Sequence, residues 1–292
     1  MGLDTNSIFS IIGSILGMLG SLIFILVYLF IKEIRDFSRK YIFTLSIYNF
    51  LLGLFAVIKG SSSDNFCKAQ GFFLGLLFSA SCSFIFFLAL VYYLKLYHEK
   101  KVDESRKFFI IGNFFIFIIG LIVALIFIFF GDIDVGSTYW CWITNVKIEA
   151  VIYSIVWFSL LGTLVLYSIT FFKIRKNKTI PKSFQYKIFA LGWIYLLTEL
   201  GTSIKRGRQL VDPTVEDNLF LDITQAVGFP MLGFWDSVFF VFFDKNVRKL
   251  FFHKKSKYEN LKQEITEGNP INDSNKEDSL SNSTMENSNS DK

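Results

Sequence analysis

Only two histidines, three cysteines and four prolines occur in 292 residues, and each scarcity removes a class of function. The histidines, His98 and His253, fall at the ends of apolar stretches. They cannot supply the several ligands that a zinc hydrolase inside a membrane requires. The last apolar stretch, 221–243, contains no lysine, so a retinal-type pump or photoreceptor has no Schiff-base residue there. Of the prolines only Pro230 lies inside an apolar stretch. A small-solute transporter would be expected to show repeated units and several broken helices near the midplane, and no strong internal repeat is evident. A transporter using Glu199 and Asp236 as coupling groups therefore stands as the alternative reading rather than the main one.

What is abundant is hydrocarbon. The chain is 52% hydrophobic and 18% aromatic, with 36 Phe, more apolar surface than a water-soluble domain can hide. It gathers in seven runs, at roughly 8–31, 41–61, 69–94, 108–131, 149–172, 184–204 and 221–243. At about 1.5 Å per helical residue, 20 residues cover the ~30 Å of a bilayer core, so each run can span as a helix. The connections 32–40, 95–107, 173–187 and 244–262 carry 22 Lys and Arg, against six in 1–7, 59–68, 132–149 and 205–220. Positively charged loops stay in the cytoplasm, which places the N-terminus outside. The net charge of +5 reflects this bias and does not call for nucleic acid as a partner. The expected fold is an all-α membrane protein, a seven-transmembrane-helix bundle at 1–252 with the lipid bilayer as its main partner.

Residues 244–257 set Val247, Leu250 and Phe251 among basic residues, the pattern of a short amphipathic helix on the inner surface. The tail assigned to 253–292 loses its apolar content from about 263, where six Asn, six Ser and seven acidic residues predict disorder. Its Ser274, Ser279, Ser281, Ser283, Thr284, Ser288 and Ser290 are phosphorylation candidates. Seven residues precede the first run, too few to form a ligand-capturing domain, so an external ligand would meet loops and helix ends.

Cys67 opens the third run and Cys141 lies in the second external loop, where the oxidising exterior permits a bridge. Cys82 sits mid-span, as a small apolar residue does. Gly13, Gly17 and Gly20 form a small-residue face on helix one that serves helix packing or, in the less common case, a homodimer.

Three segments carry a family resemblance. CKAQGFFLGLLFSASCSFIFFLALVYYLKLY (67–97) resembles the third helix of the cyclic-AMP receptor-like proteins of social amoebae, with Cys67, Gln70-Gly71, small residues at 79–83 and Tyr93-Leu94. Cys141-Trp142-Ile143 is similar to that family's second-loop motif. GFWDSVFFVFFDKNVRK (233–249) resembles the end of its seventh helix, a pattern shared with secretin-like receptors. No Asp-Arg-Tyr ends helix three and no Asn-Pro-x-x-Tyr ends helix seven, so the rhodopsin-like pattern is absent. The resemblance implies a plasma-membrane G-protein-coupled receptor, activating a heterotrimeric G protein in answer to an extracellular small molecule, cyclic AMP or another nucleotide among the candidates. It implies no enzymatic step, cofactor or metal.

Lys59, Lys147, Lys205, Arg206 and Arg208, with Tyr139, Trp140 and Trp142, are the ligand-binding candidates at the outer face. Cations suit phosphate and aromatic faces suit a base, while the same residue types also anchor helices at headgroups. Glu199, about two-thirds of the way outward in helix six, is either the floor of a pocket or the partner of Lys59. Asn49 and Asp236 lie at matching depth, ~10–12 Å from the inner boundary, and should form an inner polar contact, with Asn113 a third member. Pro230, between Gly228 and Gly233, is the expected hinge.

Overall fold

The computed structural model describes residues 5–32, 35, 37–60, 63–97, 106–135, 139–176, 182–212, 219–228 and 230–243. Helices occupy α1 (Thr5–Phe30), α2 (Phe37–Val57), α3 (Asp64–Tyr97), α4 (Arg106–Phe130), α5 (Val146–Lys176), α6 (Lys182–Val211), α7 (Leu219–Gly228) and α8 (Leu232–Phe243). Five of them, α1 to α5, are long and apolar enough to cross a membrane. Helix α6 is long enough but carries Glu199 and a basic end, and α7 and α8 are each too short alone. The amphipathic helix expected at 244–257 and the tail lie outside the described residues.

The bundle is organised around α3, which packs on α2, α4 and α5, while α6 packs on α5 and α7 and α8 close back onto α1. In the apolar windows 83% of α3 is buried against 28% of α4. This explains why α3 is rich in small residues: Ser79, Ala80, Ser81, Cys82 and Ser83 are enclosed on all sides. The outer faces stay apolar, with Phe114, Phe115, Phe158, Leu161 and Leu197 all more than half exposed. Such faces suit hydrocarbon, not water.

Two departures from the sequence reading matter. The last apolar run is not one helix with a weak point but two, α7 ending at Gly228 and α8 starting at Leu232. Pro230 offers no N–H; Met231 N–H still donates to Val227 O across it at 3.2 Å, and α8 begins with Phe234 N–H donating to Met231 O at 3.0 Å. Helix α6 runs past 204 to Val211, so Lys205, Arg206 and Arg208 sit on a helix rather than in a loop.

The glycine face of α1 is used inside the chain. A Cβ on Gly17 would strike the Pro230 carbonyl, and one on Gly20 would come 2.5 Å from Phe234 Cα. Gly233 meets the same seam from the other side, against Ser21 and the Gly17 carbonyl. This stripe lets the broken helix lie backbone to backbone on α1, so it is not an open dimerisation face.

Candidate functional site

One end of the bundle is plugged by a small β-hairpin. Strands β1 (Ile133–Val135) and β2 (Cys141–Ile143) pair antiparallel, Ile133 opposite Ile143 and Val135 opposite Cys141. An all-α reading misses it, because three-residue strands leave no periodic trace. Cys67 and Cys141 are disulfide-bonded with Cα atoms 5.3 Å apart, tying β2 to the first turn of α3. Gln70, one turn further, donates to the carbonyls of Phe55 and Ile58 at 2.9 and 2.7 Å and accepts from Cys141 N–H at 3.0 Å. Its single side chain joins α2, α3 and the hairpin.

The aromatics of this loop point inward. Trp140 and Trp142 are 2% and 5% exposed, so the headgroup-anchor reading fails for both, and neither offers an open face to a ligand. Trp142 packs edge-on against Phe127, 5.1 Å between centroids, and its Nε1–H donates to Glu149 Oε1 at 2.8 Å. Tyr139 is half-buried, and its carbonyl accepts from Gly60 N–H.

Glu149 is the functional residue that the sequence reading missed. Asn145 caps α5, its Oδ1 facing the N–H groups of Lys147 and Ile148, which fixes Glu149 in the first turn. Its Oε1 lies 3.0 Å from Arg206 Nε, although the N–H does not aim well enough for a hydrogen bond. Arg206 also donates to Gln209 at 2.7 Å and lies over Tyr153. Lys205 is buried nearby, within electrostatic reach of Glu149. A cap asparagine followed by a first-turn acid, opposite a basic helix end, was the signal available.

The cations expected to gather on a ligand are therefore divided. Lys59, Lys147 and Arg208 are exposed, whereas Arg206 is committed to Glu149. Glu199 does not pair with Lys59: it is fully buried, and neither carboxyl oxygen has a hydrogen-bond partner among the described residues.

About midway along α3 a polar chain crosses the core. Ser81 Oγ donates to Asn49 Oδ1 at 2.6 Å, and Asn49 Nδ2 donates to Asp236 Oδ2 at 3.0 Å. The adjacent Ser237 donates to the Gly20 carbonyl at 2.5 Å, which anchors α8 to α1. Asn113 is not a member, since its amide donates to Phe109 O one turn back on α4. Asp236 lines a gap of about 10 Å³ with Tyr167, Tyr195 and Leu232, room for one water at most. A larger groove of about 360 Å³ lies between α6 and the α7–α8 break, lined by Leu197, Thr198, Val227 and Trp235 among others. Thr198 and Thr224 spend their hydroxyls on their own helices, which leaves this groove apolar. It contains none of the predicted ligand residues except by adjacency to Glu199. The serines and threonine from Ser274 to Ser290 lie outside the described residues.

Apolar outer faces and five membrane-length helices define an all-α membrane protein. No family model matches the chain. It is similar to "G-protein coupled receptor 1" of Arabidopsis thaliana, 27% identical over 165 residues, which cover 55% of this chain and 49% of that protein. The chain thus spans about half the length of the curated relative it matches. The relationship is to a receptor-type protein and is coarser than the social-amoeba group that the motifs resemble.

Proposed function

We propose that the chain is a receptor of the G-protein-coupled type. In this reading α6 and the α7–α8 pair complete a seven-span bundle with the hairpin outside and the basic loops inside. The observation that carries it is the coupling of a broken seventh span to a buried polar chain. Asp236, six residues beyond Pro230, holds Asn49 and through it Ser81, so a change in the angle between α7 and α8 must remake contacts on α2 and α3. Ligand binding does work only if it contacts two such arrangements differently, and in this reading the joint at Pro230 is where they would differ. Similarity to a relative named as a G-protein coupled receptor supports the same reading.

The ligand would be a small molecule approaching beneath or beside the disulfide-tied hairpin. A cyclic nucleotide remains a probe, with Lys59, Lys147, Arg208 and Tyr139 as its nearest complement. Purified protein in vesicles with a heterotrimeric G protein tests the proposal. Nucleotide exchange stimulated by cyclic nucleotides, folates or peptides supports it. Solute flux without exchange would instead make the chain a transporter. The plasma membrane is the expected location, and tail phosphorylation the expected means of desensitisation, slowed by truncation after residue 262.

A further inference from the structure

Glu199 is fully enclosed, and neither Oε1 nor Oε2 meets a donor among the described residues. A carboxyl left this way costs several kcal/mol, so something must complete it. Other buried oxygens share its condition, among them Tyr195 Oη, Thr202 Oγ1 and Ser203 Oγ on α6 and Gln225 Oε1 on α7. Thr202 and Ser203 are three and four residues on, the positions whose side chains neighbour Glu199 on a helix, about 5–6 Å between Cβ atoms. Gln225 comes from α7, which approaches α6 closely at this level because Gly201 leaves space for Thr224.

We infer that Glu199, Thr202, Ser203 and Gln225 form a binding site for a small monovalent cation between α6 and α7. The donor set is all oxygen, which selects a hard cation over a soft transition metal. It contains one carboxylate, so a monovalent ion leaves the site neutral. A divalent ion would strand a net charge in a low-dielectric interior. Among the described residues, the two cations that follow on α6 do not fill the role. Arg206, two turns on, is held by Glu149, and Lys205 projects about 120° away around the helix, within reach of that same acid. From α3 and α5, Cys82 and Tyr153 come within electrostatic reach of Glu199, and neither brings a positive charge. Because α7 supplies one oxygen, occupancy would brace the half-helix above Pro230 against α6. The inference does not depend on the receptor reading.

Thermal unfolding of the purified full-length chain in lipid nanodiscs tests it, in NaCl, KCl and choline chloride at fixed ionic strength and pH. Sodium should raise Tm saturably, by about 2–4 °C at several times the dissociation constant, and choline should not. The KCl series tells which monovalent ion fits better. Glu199→Gln should lose the response, and Thr202→Val should move the sodium midpoint up about tenfold, the weight of one lost ligand oxygen. An equal rise in choline, or a response retained by Glu199→Gln, overturns the site. So does a Tm that ignores all three salts but follows pH through Glu199, which would assign a proton. Should Glu199→Gln not fold, unchanged sodium midpoints in both Thr202→Val and Gln225→Leu overturn it. The readout is binding, so its failure leaves the G-protein assay untouched.

Discussion

Arg206 Nε approaches Glu149 Oε1 to 3.0 Å, and this contact ties the end of α6 to the start of α5 beneath the hairpin. The side chains are 12% and 4% exposed, so water screens the pair little. Trp142 shares the same carboxylate oxygen. A strand residue, a helix start and a helix end are thereby held by one acid.

Removing both charges should cost less than the two single losses added together. Arg206→Met leaves buried Glu149 with only Lys205 within reach, and Glu149→Gln leaves Arg206 without its acid, up to about 3–5 kcal/mol each. The double variant Glu149→Gln/Arg206→Met should be less destabilised than the sum of the singles. Tm across the four proteins measures the coupling, and additive losses would mean the pair contributes nothing. Tryptophan emission should shift most in the Glu149 variants, where Trp142 loses its acceptor.

The hairpin depends on covalent attachment. A non-reduced tryptic digest should yield the Cys67 and Cys141 peptides as one crosslinked species, while Cys82, fully buried, stays unalkylated until the protein unfolds. Cys67→Ser and Cys141→Ser should expose Trp140 and Trp142 to quenchers to a similar extent, because either change frees the same strand. Two freely alkylated thiols in the native protein would refute the bridge.

Gly17→Val tests the seam between α1 and the broken helix. Its side chain would meet the Pro230 carbonyl, and backbone there cannot step aside cheaply. Overpacking of this kind costs about 1–3 kcal/mol or more. The yield of folded protein should fall sharply, whereas Ile12→Val, at an exposed position on the same helix, should be silent. Normal folding with a changed oligomeric state would return the stripe to dimerisation.

How much of this could be read beforehand depended on whether one residue or a neighbour decided the outcome. Hydropathy placed α1 to α5 because lipid-facing and core-facing residues are both apolar there, and length alone fixes a span. Equal depth from the same boundary was enough to pair Asn49 with Asp236. Ser81 was not legible as the third member, since Ser79, Ser81 and Ser83 look alike until the packing of α3 selects one. Asn113 failed because a carbonyl four residues back on its own helix competes with any distant partner. Glu149 was passed over as a span boundary, and of the two readings of Glu199 the pairing with Lys59 fails, because the structure buries the acid and leaves that lysine exposed. Charge pairing across helices depends on rotation about each axis, and the apolar run does not carry that phase in a chain with apolar residues on every face.

The last prediction concerns the joint at Pro230. Asp236 accepts from Asn49, which accepts from Ser81, so α8, α2 and α3 share one polar chain in a core that offers little room for water. A static staple and a switch use the same bonds but answer differently to shape-preserving change. Asp236→Asn keeps the volume and one acceptor while removing the carboxylate. If the chain of bonds is a switch, this variant should reach the membrane in normal amount yet alter basal G-protein activation, and Ser81→Ala should shift it in part because Asn49 loses one partner. If the chain is a staple, Asp236→Asn should signal normally, while Asp236→Leu should lose expression through the unpaired Asn49 amide, about 1–3 kcal/mol. Normal expression and normal signalling in all three variants would deny the chain both roles. Changed signalling without changed expression would place the control of this protein at the break between α7 and α8.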